Sequence, residues 1–444
     1  MTALPTNTPW TRRADLAALL AALGPGQARY VGGAVRDTLL GLAVKDIDVA
    51  TPLEPREVMR RLKAHAIKVV PTGIDHGTVT ALLAGGPVEI TTLRHDVSTD
   101  GRRATVAFAQ DWQDDAARRD FTINALYADP VTLEVFDYFG GMDDIAARRV
   151  RFIGDARERI REDHLRILRY FRFQARFGSQ PADPEAESAC EDLAATLKGL
   201  SRERVGMEMI NLLGLADPAP TVARMGELGV LAQVLPEADV ATLAALVSQE
   251  VRQGVAPDAI RRLAALLPSE PALAEQVAAR FRLSGTQKKR LALAAGRDPI
   301  LPGTGRGTSA AGGGAQASGP DLEKSRDHDG APPPPLRGGP PPRTGEEQTA
   351  RALAYRLGLT AALDRLLLTG QSIAPLDGWE IPTFPLKGGQ IVARGVKAGP
   401  EVARVLKAVE ARWVEEGFPD AARTQALLDD ELGGGINSAL AALQ

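Results

Sequence analysis

Asp46 and Asp48 are the side chains of this sequence best suited to chemistry. They stand in Lys45-Asp-Ile-Asp-Val49. Alternate residues of a strand point to one face, so the two carboxylates sit side by side while Ile47 turns into the core. Like charges this close repel, and a hard divalent cation such as Mg2+ resolves the conflict, taking oxygen ligands and leaving positions for phosphate oxygens. Upstream, in Tyr30-Val-Gly-Gly-Ala-Val-Arg-Asp37, Gly32 and Gly33 let the backbone approach a phosphate and open a short helix whose amides favour negative charge. Arg36 adds a side-chain cation. Taken singly, Asp-x-Asp is an ordinary strand end and Gly-Gly a plain turn. The order strand, glycine pair, helix, acidic strand describes one pocket for phosphoryl transfer. Glu89, in Val88-Glu-Ile-Thr-Thr-Leu-Arg94, is the candidate third acid of a two-metal arrangement if its strand neighbours that of the pair.

A second constellation lies in Glu162-Asp-His-Leu-Arg-Ile-Leu-Arg169 and Phe171-Arg-Phe-Gln-Ala175. Wound as one helix at about 100° per residue, it places Asp163, Arg166, Tyr170 and Phe173 on one side and Ile167, Leu168, Phe171 and Ala175 on the other. Arg169, Arg172 and Arg176 form a third, basic stripe. Residues 148–176 carry ten Arg against four acids, which suits polyphosphate or RNA backbone. An Asp acceptor beside an Arg donor complements cytosine and adenine, which pair an amino donor with a ring-nitrogen acceptor, and opposes uracil and guanine. A third cluster, Arg118-Arg-Asp-Phe-Thr-Ile-Asn124, offers two cations and two short polar groups, which on their own read better as a helix start capped by Asp120.

Together these motifs resemble the class II tRNA nucleotidyltransferases, or CCA-adding enzymes, and the related bacterial poly(A) polymerases. The stretch from Tyr30 to Thr51 is similar to that family's catalytic signature, Arg118–Ala125 to its second motif, Glu162–Ala175 to its third and Ser201-Arg-Glu-Arg-Val-Gly-Met-Glu208 to a fourth. The resemblance implies a polymerase-β-type nucleotidyltransferase head with a mixed sheet and helices, followed by an all-helical neck, body and tail, an α+β protein. It implies Asp46, Asp48 and Glu89 as catalytic residues, the first two holding Mg2+. Arg119 would contact triphosphate and Asp120 and Asn124 would lie near the sugar. Asp163 and Arg166 would read the base, with Arg169 and Arg172 making further nucleotide contacts and Glu203 and Arg204 binding RNA or supporting the site. The implied reaction is template-independent addition of CMP and AMP, from CTP and ATP, to the 3′ end of tRNA. Addition of A only, of CC only, or of poly(A) uses the same chemistry. A non-catalytic RNA-binding protein on a retired head would have lost the acids, which are present.

These motifs need elements to position them. Short β-type runs at 29–31, 46–50, 67–70, 78–83, 88–93 and 133–137, with helices near 34–40 and 55–65, predict a mixed sheet with covering helices. Residues 94–118 read as a loop of full length, although Ala104 stands where the family often has proline. Beyond residue 155 helical spacing takes over. The domains expected are a head over 1–147, a neck binding base and RNA over 148–215, a body over 216–300 and a tRNA-binding C-terminal region over 348–444. Between the last two, 20 of the 47 residues of 301–347 are Gly or Pro, which predicts a disordered insertion.

The 444-residue chain has a net charge of −3, so nothing global announces a nucleic-acid partner. Its one cysteine, Cys190, leaves no disulfide partner, and its five histidines lack the clustering of a phosphohydrolase domain. No apolar run approaches the ~18 residues of a membrane span, and the Leu-rich stretch at 16–23 reads as a surface helix rather than a secretion signal. The cytoplasm is the expected compartment.

Overall fold

The computed structural model describes residues 2–100, 103–109, 111–297 and 345–441, and the chain divides into two compact units, Met1–Ala295 and Gly296–Gln444. The first begins with α1 (Ala14–Leu23), β1 (Arg29–Val31), α2 (Gly33–Leu39), β2 (Ile47–Thr51) and α3 (Pro55–Ala64). Strands β3 (Val69–Gly73), β4 (Thr78–Leu83) and β5 (Gly86–Thr92) follow, then β6 (Arg94–Asp100), β7 (Arg103–Phe108), α4 (Trp112–Ala117), β8 (Leu126–Ala128) and β9 (Val135–Asp137). Seven strands form a mixed sheet in the order β3-β4-β5-β2-β1-β8-β9. Only β2 and β5 pair in parallel, the right choice for strands joined through a helix and a hairpin.

Alternation along β2 decides what each face does. Ile47 and Val49 enter a core with Tyr30, Val88 and Ile90, covered by Leu16 and Leu19 of α1 and Val58 and Leu62 of α3. On the opposite face Val31 and Ala50 join Leu93, Ala116, Ala125, Tyr127 and Ile153 in a smaller core. Asp48 lies between the two inward residues and therefore turns to this second side.

The expected strands are present with small shifts, and Asp46 lies just ahead of β2 rather than in it. The sheet corrects two expectations. Residues 94–100 and 103–108 are strands rather than loop: β6 and β7 pair antiparallel in a separate sheet, with Arg94 opposite Phe108. Strand β8, absent from the sequence reading, pairs between β1 and β9.

Past the sheet come α5 (Gly141–Ala146), α6 (Ala156–Glu162) and α7 (Arg166–Phe177). The continuous helix expected across the third motif is two helices, because Asp163 is extended, with φ −150° and ψ 103°. Its side chain accepts the amide of Leu165 at 3.2 Å, the local bond by which Asp competes with helix and favours helix starts. The wheel placement of Tyr170 fails with it. That ring is fully buried, stacked on Phe152 at 5.8 Å, and Phe121 touches both Phe152 (5.0 Å) and Phe173 (5.1 Å). This aromatic cluster fixes α7 to the sheet domain.

The rest of the unit is helical: α8 (Pro184–Asp192), α9 (Arg202–Leu213), α10 (Ala219–Glu227), α11 (Leu231–Val234), α12 (Ala241–Arg252), α13 (Ala259–Leu266), α14 (Pro271–Arg280) and α15 (Gly285–Ala295). Cys190 is buried in α8 as a free thiol, its pKa raised well above the ordinary range by burial. Glu250 of α12, 1% exposed, holds Arg261 at 2.7 Å and Arg262 at 2.8 Å. Arg262 also donates to the carbonyls of Leu213 and Ala216, closing the end of α9.

The second unit contains α16 (Gly345–Leu357), α17 (Leu359–Leu368), α18 (Gly388–Val392), α19 (Pro400–Glu415) and α20 (Ala421–Ala441). Its core centres on Trp413, ringed by Tyr355, Phe384 and Phe418 at 4.9–5.5 Å. The insertion expected over 301–347 lies, up to residue 344, outside the described residues. Among the described residues no helix is long and apolar enough to cross a membrane.

Candidate active site

Strand pairing brings the acids together. In the parallel register Asp48 of β2 stands opposite Glu89 of β5, meeting the condition on which Glu89 depended, and on its other side it faces Val31, the last residue of β1. Asp46 and Glu89 are exposed, whereas Asp48 is half-buried. Its pKa is pushed up to about 6, first by burial and then by the negative charge of Glu89, with Arg119 opposing and Asp46 adding to the rise.

This carboxylate lines a cavity of about 400 Å³. Gly32 and Gly33 form one wall, directly after β1. Gly32 has φ +67°, and a Cβ there would stand 3.4 Å from Nη1 of Arg119 and 3.6 Å from the carbonyl of Asn124, so both the conformation and the close approach require glycine. Arg36 lines the same wall, 6% exposed, but its guanidinium is committed to Asp37 (2.8 Å) and to the side-chain carbonyl of Asn124.

The second motif lies across from the glycines. Helix α4 ends at Ala117, and Arg118 and Arg119 both turn back to Asp115, at 2.8 and 3.0 Å. Asp115 is 1% exposed and also accepts the Tyr127 hydroxyl at 2.6 Å. Burial works against its charge, yet Arg119, Arg118 and Tyr127 together bring its pKa down to about 2. Arg119 is likewise opposed by burial, but Tyr127 and Asp115 hold it firmly charged. Asp115 escaped the sequence reading, although it stands three and four residues before the arginines.

Asp120 and Asn124 meet directly, the Asn124 amide donating to Asp120 at 3.0 Å. Arg169 of α7 donates twice to the other oxygen of Asp120, at 2.8 and 2.6 Å. Despite its burial Asp120 has a lowered pKa, chiefly through Arg169. All three residues line the cavity, as do Asp163, Arg166 and Phe173.

Asp163 and Arg166 are placed differently from the wheel. Asp163 is held by Arg204 of α9 at 2.7 Å, not by Arg166. Arg166 is held by Glu162 at 2.5 Å and by the carbonyls of Arg159 and Arg118. Acceptor and donor thus reach one cavity on separate supports. Arg204 braces Asp163, while Glu203 is exposed on the first turn of α9. Arg172 does not line the cavity; it binds Glu208 at 2.6 Å and lies 4.8 Å over the Phe173 ring.

An oxygen-only donor set, with one carboxylate made harder to ionise by burial and by Glu89, suits a hard cation. Among the described residues no three or more His, Cys, Asp and Glu side chains are gathered to hold a metal by themselves. The protein would supply part of a shell that phosphate oxygens complete, as is usual for Mg2+.

Comparison with known proteins agrees with this architecture. Residues 28–151 match the family of the poly A polymerase head domain, and residues 182–242 match a family described as the "Probable RNA and SrmB- binding site of polymerase A". Over 190 residues the chain is 46% identical to the human mitochondrial CCA tRNA nucleotidyltransferase 1, covering 42% of this chain and 44% of that protein. It is 42% identical over 189 residues to a CCA-adding enzyme of Leuconostoc citreum, covering 42% of this chain and 45% of the relative. The chain therefore spans less than half the length of these curated relatives. In fold it is similar to the Bacillus stearothermophilus CCA-adding enzyme in complex with CTP, with a TM-score of 0.66 at 24% identity over 95% of this chain and 98% of that one. A Thermotoga maritima CCA-adding enzyme complexed with tRNA gives 0.63 at 19% identity, covering 94% of each. By these measures residues 28–151 match the poly A polymerase head domain family, and the chain shares its fold with solved CCA-adding enzymes.

Proposed function

We propose that the protein is a cytoplasmic RNA nucleotidyltransferase that adds CMP and AMP, from CTP and ATP, to the 3′ end of tRNA. The observation that carries this reading is the placement of Asp48, beside Glu89 and at one wall of a cavity whose other walls are Arg118, Arg119, Arg169 and the pair Asp163 and Arg166. Asp46 and Asp48, with Glu89 adjoining, would hold Mg2+. Bound there, the ion would acidify the attacking hydroxyl and neutralise charge on the phosphates.

The chain's own side chains do the remaining work. Arg119, kept charged by Asp115, balances the triphosphate. Gly32 lets the backbone approach it. Asp120 and Asn124, oriented by Arg169 and Arg36, present polar atoms for the ribose. Asp163 has lone pairs left after Arg204 and accepts from the amino group of cytosine or adenine, while Arg166 donates to the ring nitrogen. A 3′-hydroxyl then attacks the α-phosphate in line and pyrophosphate leaves. The head, neck, body and C-terminal division of the sequence reading serves this scheme, the neck carrying the base readers and the C-terminal region binding tRNA.

The test is to incubate tRNA lacking its 3′ end with CTP, ATP or both and size the products. Full CCA addition requires two additions with CTP alone and three with both. A ladder of A residues with ATP alone would instead make the protein a poly(A) polymerase, and no extension would remove the assignment.

A further inference from the structure

Asp115 lies behind the cavity wall and touches none of its space, yet it is the hub of that wall. Four donors converge on one carboxylate of 1% exposure: Arg118 through Nε (2.9 Å) and Nη2 (2.8 Å), Arg119 through Nη2 (3.0 Å), the Tyr127 hydroxyl (2.6 Å) and, more weakly, the backbone amide of Arg94 (3.4 Å). The Tyr127 hydroxyl closes the ring by accepting from Nε of Arg119 at 3.2 Å. Asp115 and Tyr127 thus fix two of the three nitrogens of Arg119. The third, Nη1, is the one that lies by Gly32, 3.4 Å from where a Cβ would stand. An arginine whose Nε and one Nη are tied can only point its remaining amino group outward, here across the cavity toward the glycine turn.

We propose that Asp115, seconded by Tyr127, is a positioning residue for triphosphate recognition: it presents Nη1 of Arg119, together with Arg118, to the phosphates without touching the nucleotide. This rests on the assignment of Arg119 to the triphosphate in the preceding reading. Buried charge makes the arrangement stiff. Without the carboxylate, two adjacent guanidiniums would repel each other, and Arg119 would lose the fixed geometry that a multidentate anion rewards.

The test compares the affinities of CTP and CMP for the full chain in Asp115→Asn, Tyr127→Phe and Arg119→Ala, with KM and kcat for CTP incorporation alongside. The expected result is that Asp115→Asn weakens CTP about tenfold or more and leaves CMP within about twofold, so the preference for the triphosphate shrinks and KM rises more than kcat falls. Tyr127→Phe, which keeps the ring packing and removes only the hydroxyl, should produce the same pattern at about threefold and decides the matter if Asp115→Asn does not fold. Equal losses for CTP and CMP, or an unchanged preference, would overturn the proposal and leave Asp115 a fold-stabilising group. Should Arg119→Ala itself leave the preference intact, the fault lies instead in the assignment of Arg119. If Arg119→Ala collapses the preference while Tyr127→Phe does not change it, only the positioning role falls.

Discussion

Asp48 is ill at ease as a carboxylate, half-buried with Glu89 beside it, and this discomfort is the source of its value. Replacing it by Asn keeps the shape and removes the repulsion, so Asp48→Asn should cut incorporation by on the order of a thousandfold while leaving the thermal midpoint unchanged or raised. A lowered midpoint would mean that the side chain holds the sheet together rather than the reactants. Asp163→Ala should act on choice rather than on rate. Losing one polar contact to the base is worth about 1–3 kcal/mol, so the preference for CTP over UTP should fall by roughly tenfold or more in competition assays, with CTP still bound. At this scale the sequence was readable for residue identity and not for partnership. Asp163 was recognisable as an acceptor, but Arg204, which holds it, comes from 41 residues later, and only the packing of α9 against α7 pairs them. The resemblance implies a nucleotide contact for Arg172, and its ion pair with Glu208 is not foretold by the motif.

Elements succeed or fail here by register and by handedness. Asp48 meets Glu89 only because β2 and β5 pair in parallel, and a slip of one residue would turn Glu89 to the opposite face. Gly32 ends β1 in a conformation that L side chains resist, at φ +67°. Gly32→Ala should therefore cost about 1–2 kcal/mol in strain and push the new methyl toward Arg119, lowering both the unfolding midpoint in urea and the affinity for CTP. Loss of stability with binding intact would contradict the role given to the glycine turn. Acid should loosen the same region. Asp115 titrates near 2 in the folded protein against about 3.9 when unfolded, so its contribution, on the order of 2–3 kcal/mol, is complete above about pH 5 and is lost progressively as the pH falls toward about 1. In Asp115→Asn that portion of the acid dependence should be missing when unfolding is followed between pH 5 and 2. Long alternating strands such as β4 and β5 were legible. Strand β8 was not, because three wholly buried residues, Leu126, Tyr127 and Ala128, offer no alternation. The β6–β7 pair was hidden by polar residues that resemble a loop, and the break at Asp163 by the absence of Gly or Pro.

Across the whole molecule, two units with separate cores imply separable stabilities. Glu250 pairs with two buried arginines in the first unit, and Glu250→Gln should cost roughly 3–5 kcal/mol there. Trp413→Ala, at roughly 3–5 kcal/mol, should fall on the second unit. Calorimetry of the full chain should accordingly show two transitions, each variant lowering one and sparing the other; a single peak shifted equally by both would mean that the units unfold as one. The helical character of residues 156–295 was evident from their periodicity, while the Glu250 cluster was not, since burying a carboxylate with two arginines leaves no mark on the local pattern. Cys190 has a consequence for anyone who wishes to watch this protein move. Sealed inside α8 and reluctant to ionise, the only native sulfhydryl is inert toward maleimides. The chain thus arrives as a blank background, on which a cysteine introduced at an exposed site such as Glu203 would carry a fluorophore or spin label with no wild-type residue to remove first.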